Sequence, residues 1–255
     1  MKREPILRSE KVTVEFDGFV AVREMSFELA DRELRFLIGP NGAGKTTFLD
    51  VICGKVRPKN GQVLYRAQSS GSEVPLTRRK EHQIASLGIA RKFQAPSIFT
   101  DLTVFENLEL SVQKKKGILA AMTTGVKREM RDRIQGQLEM IGLSDKSGFR
   151  AGGLSHGEKQ WLEIGMMLLQ DPRVLLLDEP VAGMTDAETE KTGELLKEIT
   201  RERAVVVVEH DMEFVRNYSS LVTVMHEGQL LKEGTMSDIQ SDDRVAEVYL
   251  GKKAG

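Results

Sequence analysis

The 255-residue sequence predicts an α/β fold that opens with an antiparallel β region and carries an inserted helical subdomain. Three observations predict it. The apolar run Leu34 to Ile38 leads into a glycine-rich loop and then a helix-forming stretch. Three later aliphatic runs, Arg173 to Leu177, Ala204 to Val208 and Leu221 to Met225, are separated by helical stretches, the pattern of parallel strands joined by crossover helices. Between the loop and those runs, three stretches of helical periodicity follow one another with no strand among them.

In chain order, Val12, Val14 and Phe16 alternate as a half-buried strand, and Glu28 to Leu29 with Leu34 to Ile38 read as strands running into the loop. Thr46 to Ile52 reads as the helix after it. Thr103 to Gln113, Lys127 to Ile141 and Glu158 to Leu169 read as the inserted helices. From about Gly228 the chain reads as a hairpin strand, then helices, then a polar tail. The expectation is one domain over 1–255, with 1–93 and 170–255 forming the α/β core and its β subdomain, and 94–169 the helical subdomain. Within the insertion, Gln113 to Gly125 joins three lysines to small residues and glycines and reads as a mobile loop or a solvated helix end.

Composition narrows the function classes. Thirty-seven basic against 38 acidic residues give a formal net charge of -1, which offers no global field for nucleic acid or acidic lipid. The single cysteine, Cys53, excludes an internal disulfide and agrees with a reducing cytoplasm. The segment MKREPILRSEKVTVEF lacks the apolar core of a signal peptide, and no aliphatic block is long enough to span a bilayer. Membrane association, on this reading, runs through partner subunits.

The chemistry begins at GPNGAGKTT, the stretch Gly39, Pro40, Asn41, Gly42, Ala43, Gly44, Lys45, Thr46 and Thr47. Its glycines let the backbone turn tightly and aim N–H groups at phosphate oxygens, and the next helix points its positive end at the same anion. Lys45 adds a charge for the terminal phosphates and Thr46 a hydroxyl for Mg²⁺. Asp178 ends the aliphatic run Val174 to Leu177, where a carboxylate can serve the same Mg²⁺. Glu179 follows, and alternation along an extended backbone would send it the other way, free to polarise water. Upstream, Ser155 and Glu158 in LSHGEKQ have capping-box spacing, and a capped helix start bearing Ser155 and Gly157 is itself a phosphate-binding surface.

These motifs, in this order, resemble the ABC ATPase family over nearly the whole chain. The resemblance implies ATP and Mg²⁺ as ligands, Lys45 and Thr46 on phosphates and metal, Asp178 as the second Mg²⁺ contact and Glu179 as general base. Gln94, in RKFQAPSIF, resembles the glutamine that would touch Mg²⁺ and water at the joint into the helical subdomain. His210, in VVVVEHD, resembles the switch histidine that would orient the γ-phosphate and attacking water. Gly183 to Asp186, GMTD, sits where the family has its dimer-seam loop, although Thr185 and Glu188 also have capping-box spacing. Phe16 occupies the place of the adenine-stacking aromatic, with burial beside Val12 and Val14 as the alternative.

The sequence departs from the family pattern at His156, Glu158 and Arg32. A glycine often stands at the last of these positions, and a left-handed arginine would cost on the order of 1 kcal/mol, so a different turn is expected there. RKFQAPSIFTDLTVFENLEL, the segment around His156 and GMTD, and the ending VYLG are similar to ATP-binding subunits of bacterial urea importers, within the branched-chain amino acid importer group. That resemblance implies a second ATPase subunit, two integral membrane permease subunits, a substrate-binding protein acting indirectly, no nucleic acid, and a peripheral position on the cytoplasmic face of the inner membrane. A branched-chain amino acid or short-chain amide importer is the alternative. A non-transport ABC ATPase is a remoter one, since such chains generally carry a long coiled coil or two cassettes. A binding-only cassette would be expected to lack Glu179 or His210.

Overall fold

The computed structural model describes residues 5–67, 72–92, 98–113 and 124–250. Gln94 and positions 114–123 of the expected loop lie outside the described residues. The chain begins with β1 (Pro5–Phe16), β2 (Phe19–Ala30) and β3 (Leu34–Ile38), then α1 (Lys45–Ile52), β4 (Asn60–Arg66) and β5 (Glu73–Pro75). It continues through α2 (Glu81–Ser86), β6 (Ile89–Arg91), α3 (Val104–Gln113), α4 (Thr124–Ile141) and α5 (His156–Leu168). The remainder is β7 (Val174–Asp178), α6 (Asp186–Thr200), β8 (Ala204–Val208), α7 (Met212–Tyr218), β9 (Leu221–His226), β10 (Gln229–Gly234), α8 (Met236–Gln240) and α9 (Asp243–Leu250).

The chain divides into two compact units, one of 1–90, 173–180 and 196–255, the other of 91–172 and 181–195. The division falls inside α6. Compared with the expected insertion at 94–169, the helical unit also takes residues 181–195, because Trp161 of α5 donates its indole N–H to Thr192 Oγ1 at 2.9 Å and Lys191 lies 3.7 Å over the same ring. These contacts join positions too far apart for local periodicity to reveal.

The first unit holds a four-stranded antiparallel sheet in the order β2-β1-β4-β5 and a six-stranded sheet in the order β10-β9-β3-β8-β7-β6. In the latter β3 pairs in parallel with both β8 and β9, and β7 in parallel with β8, as the aliphatic runs predict. All residues of β3, β7 and β8 are buried, which is why these strands read as unbroken apolar runs and not as alternation. Val14 and Val22 of one sheet, Leu37 and Val206 of the other, and Phe48 of α1 share one core cluster. Each such side chain contributes about 1.5–3 kcal/mol of apolar burial. The short strands β4, β5 and β6 and the helix α2 have no expectation in the sequence reading; β5 and β6 are three residues each, below the length at which a pattern shows.

One open alternative narrows and one local expectation changes. Val12 and Val14 are buried, but Phe16 is 46% exposed. The β1–β2 register shifts between Val12 and Val14 and again before Glu15, so the strand twists and the alternation does not reach Phe16. Arg32 has φ 57, so it keeps the left-handed turn that its missing glycine argued against. The turn lies in the short link between β2 and β3, which belong to different sheets.

A buried cation also sits in this unit. Arg35, 3% exposed on β3, donates to Thr223 Oγ1 at 2.8 Å and to the Glu28 carbonyl at 3.0 Å, and pairs with Glu33 and Glu233. Removing one partner of a buried ionic network strands the rest, so Arg35→Ala is expected to destabilise the fold by about 3 kcal/mol. A denaturant midpoint indistinguishable from the parent protein's would show that the network is solvated.

In the helical unit α3, α4 and α5 meet at Gly165, where a Cβ would lie 2.8 Å from Ile141 Cδ1 and 3.3 Å from Leu108 Cδ2. A larger residue there would push the Ile141 methyl aside.

Candidate active site

The phosphate-type loop grows directly from β3. Gly39 has φ 151, and a Cβ there would lie 2.2 Å from the Met225 carbonyl oxygen. At Gly44, φ 92, it would lie 2.3 Å from the Ala21 carbonyl oxygen. Two of the three loop glycines are therefore fixed by the close approach of a neighbouring strand's carbonyl, and Gly42, with open space around it, by its φ of 81 alone. Gly44 caps α1 without a side-chain hydrogen bond, and the first turn of α1 carries no acid. The helix thus begins with N–H groups open to an anion, reinforced by its dipole.

Lys45 donates from Nζ to the carbonyls of Gly39 at 2.8 Å and Pro40 at 3.0 Å, which folds its charge back over the loop. Burial lowers its pKa from the ordinary lysine value, opposed by the carboxylates of Glu179 and Asp178. Those carboxylates therefore lie within electrostatic reach of the loop lysine.

Asp178 ends β7 opposite Val208 of β8 and is 7% exposed. Glu179 follows with its side chain 45% exposed. The two acids do separate into a buried and an exposed group, but not through extended alternation: Glu179 has φ 49 and its N–H donates to the Val208 carbonyl at 2.9 Å. A left-handed non-glycine residue costs on the order of 1–3 kcal/mol, a strain that concentrates where a side chain must be aimed. His210 Nδ1 stands 3.6 Å from Glu179 Oε1, with both side chains reaching solvent. His210 follows the buried Glu209, whose carboxylate accepts its N–H at 3.1 Å. Because β3, β7 and β8 are parallel neighbours, the loop, Asp178, Glu179 and His210 gather at one carboxyl edge of the sheet, the place where open α/β sheets bind ligands.

For a metal, the donor set is hard oxygen: the Thr46 hydroxyl in the first turn of α1 and the Asp178 carboxylate. Among the described residues no group of three or more His, Cys, Asp or Glu side chains forms a ready cage. Mg²⁺ is usually held by one or two side chains together with substrate phosphates and waters, so this sparse set fits it.

The start of α5, in the helical unit, is built differently. Ser155 caps it, accepting the Glu158 N–H at 3.2 Å, while Glu158 Oε2 accepts the Ser155 N–H at 3.0 Å. The expected capping box is present. So is the second one, where Glu188 Oε2 accepts the N–H of Thr185 at 3.0 Å and its hydroxyl at 3.1 Å. Glu188 does more than the spacing suggests, because Ser155 Oγ also donates to its Oε1 at 2.7 Å. The Thr185 N–H first, then the Ser155 hydroxyl, hold the Glu188 carboxyl below its ordinary pKa. His156 Nε2 lies 3.1 Å from the Ala182 carbonyl, so the unusual histidine ties the same helix turn to residues 182–188. Phe16 stands exposed at the β1–β2 hairpin beside Phe19, itself 67% exposed.

Comparison with known proteins accounts for this assembly. The ABC transporter family profile matches residues 22–182. The chain is 34% identical to the high-affinity branched-chain amino acid transport ATP-binding protein LivG of Salmonella typhimurium, across 98% of this chain and 99% of that one. It is 32% identical to BraF of Pseudomonas aeruginosa, a protein of the same description, over 97% and 98%. Among solved structures it is similar to MJ1267, an ATP-binding cassette of an ABC transporter, with a TM-score of 0.83 at 28% identity over 96% and 98% of the two chains. The ADP conformation of that cassette superposes with a TM-score of 0.80 at 26% identity, over 97% and 99%. Matched by the family over most of its length and by relatives over nearly all of it, the chain belongs to the ABC transporter family as one of its ATP-binding, ATP-hydrolysing subunits.

Proposed function

We propose that this chain powers a bacterial importer by hydrolysing ATP in a dimer of ATPase subunits, with urea as the cargo. The observation that carries the hydrolytic reading is the gathering of the glycine loop, Asp178, Glu179 and His210 at one sheet edge. Backbone N–H groups of Gly42 to Thr47 and the Lys45 ammonium bind the phosphates. Thr46 and Asp178 hold Mg²⁺, with Gln94 as a further ligand, and the ion supplies charge neutralisation of the phosphoryl oxygens. Glu179 accepts the proton of the attacking water, and His210 orients that water and the γ-phosphate. Phe16 stacks on the base, a role that its exposure at the hairpin leaves open to it. Ser155, Gly157 and Glu158, on the other compact unit, serve the nucleotide of the second subunit. The functional division at 94–169, the helical subdomain facing the membrane partners, belongs to this proposal.

The subunit stands at the cytoplasmic face of the inner membrane, docked on two permease subunits that receive cargo from a substrate-binding protein. Among the described residues no helix is long and apolar enough to cross a membrane, and the permeases supply that part.

If each site is completed by a second subunit, the specific ATPase rate of the purified chain falls on dilution below its dimerisation constant. A rate per chain that stays constant down to monomeric concentrations would reject the composite site.

Urea as cargo is supported by the similarity of RKFQAPSIFTDLTVFENLEL, of His156 and of GMTD to urea-importer subunits. Branched-chain amino acids are the second reading, favoured by the full-length likeness to LivG and BraF. Uptake of labelled urea and labelled leucine into cells with and without this chain separates them. Loss of urea uptake alone supports the first reading, and loss of leucine uptake alone replaces it with the second.

A further inference from the structure

The start of α5 already holds an anion. Ser155 Oγ donates its only proton to Glu188 Oε1 at 2.7 Å, and the same carboxylate packs against Gly157. The approach is close enough that a Cβ on Gly157 would lie 2.6 Å from Glu188 Cδ and Oε1. The hydroxyl proton this helix start would offer a phosphate is therefore spent on a side chain of the same subunit, whose carboxylate also fills the space over Gly157. A carboxylate and a phosphate cannot share that proton or that space, since both are anions and both would need to stand in the same place.

The geometry also provides an exit. Glu188 Oε2 is held separately, by the N–H and hydroxyl of Thr185, as the cap of α6. Both oxygens move together, so the exit is a swing of the whole carboxylate away from Ser155, during which the Thr185 hydroxyl can rotate to follow Oε2. The His156 link to the Ala182 carbonyl does not depend on Glu188 and keeps residue 182 in place meanwhile.

We propose that Glu188 is an internal stand-in for the partner-bound phosphate: it occupies the start of α5 in the separate subunit and must be displaced before two subunits close on ATP. This rests on the reading that Ser155 and Gly157 face the nucleotide of the second subunit. Glu188 is thus a positioning residue that sets the ATP concentration at which closure occurs, without touching the reacting atoms.

The test uses the Glu179→Gln protein, in which hydrolysis does not drain the closed state, and follows ATP-dependent dimerisation by light scattering. Adding Glu188→Gln removes the competing charge but leaves an oxygen to cap α6. The ATP midpoint for dimerisation is expected to fall roughly threefold to tenfold, as when the open site is populated in only about a third to a tenth of molecules. Binding of ATP to the monomer, read with a fluorescent analogue, is expected to stay unchanged. Glu188→Asp, which keeps the charge but shortens its reach, is expected to lower the midpoint too and serves if the glutamine variant folds poorly. A midpoint that is unchanged or raised in both variants overturns the proposal and leaves Glu188 a structural cap. If the Glu179→Gln parent binds ATP and never dimerises, the composite-site reading fails, and this inference fails with it.

Discussion

Glu179→Gln is expected to stop ATP turnover while leaving ATP bound. The amide keeps the size of the side chain but cannot take a proton, and losing a positioned base costs roughly 10²- to 10⁴-fold in rate. The loop glycines, Lys45, Thr46 and Asp178 are untouched, so nucleotide affinity is retained and the protein accumulates as an ATP-bound dimer. The φ of 49 at Glu179 strengthens the expectation, because a strained backbone that served only to reverse the chain would be relieved by glycine. Glu179→Gly should therefore stabilise the fold slightly while losing activity as fully as the glutamine variant. Turnover within a factor of about three of the parent in Glu179→Gln, well short of a lost general base, would move the base elsewhere.

Gly39→Ala carries the second large effect, on stability. Its Cβ would meet the Met225 backbone carbonyl oxygen at 2.2 Å, with Ala43 Cβ at 3.3 Å. No rotamer relieves such a clash, so β9 and the loop must part, at roughly 2–4 kcal/mol. Gly42→Ala is the control, since nothing lies within 4 Å of its Cβ and only its φ of 81 resists, on the order of 1 kcal/mol. Chemical unfolding of both variants checks the difference. Equal losses would mean that conformation, and not the approach of β9, demands the first glycine.

The contrast between these glycines shows what the sequence could and could not reveal. That GPNGAGKTT needs glycines was legible from its spacing. Which atoms each glycine avoids was not, because Met225 and Ala21 come from strands whose pairing with the loop is a tertiary fact. The parallel strands β3, β7 and β8 were legible because burial on both faces leaves an unbroken aliphatic signature. The three-residue strands β5 and β6 leave none. Both capping boxes were legible, being local hydrogen bonds at fixed spacing. The second use of Glu188 was hidden, since only the fold brings it to Ser155. For the acids the order of residues indicated two roles, yet the turn that separates them is a left-handed residue and not strand alternation. Phe16 was open between core and surface, and the shifts of register in β1 decided for the surface.

The position of β3 between β8 and β9 has a consequence for synthesis. Leu34 pairs with Val205 and Arg35 with Leu221, so the strand that launches the loop waits for partners made much later in translation. Until then Phe36, Leu37 and Ile38 have neither neighbour, and the ionic partner Glu233 of Arg35 has not been made. Contacts this distant in sequence make for slow folding and a prolonged exposure of aliphatic strands. A ribosome that stalls before residue 221 releases a chain with its glycine loop present in sequence and absent in shape. ATP binding thereby becomes a checkpoint in the life of the polypeptide, passed only by chains that have been read through β8 and β9.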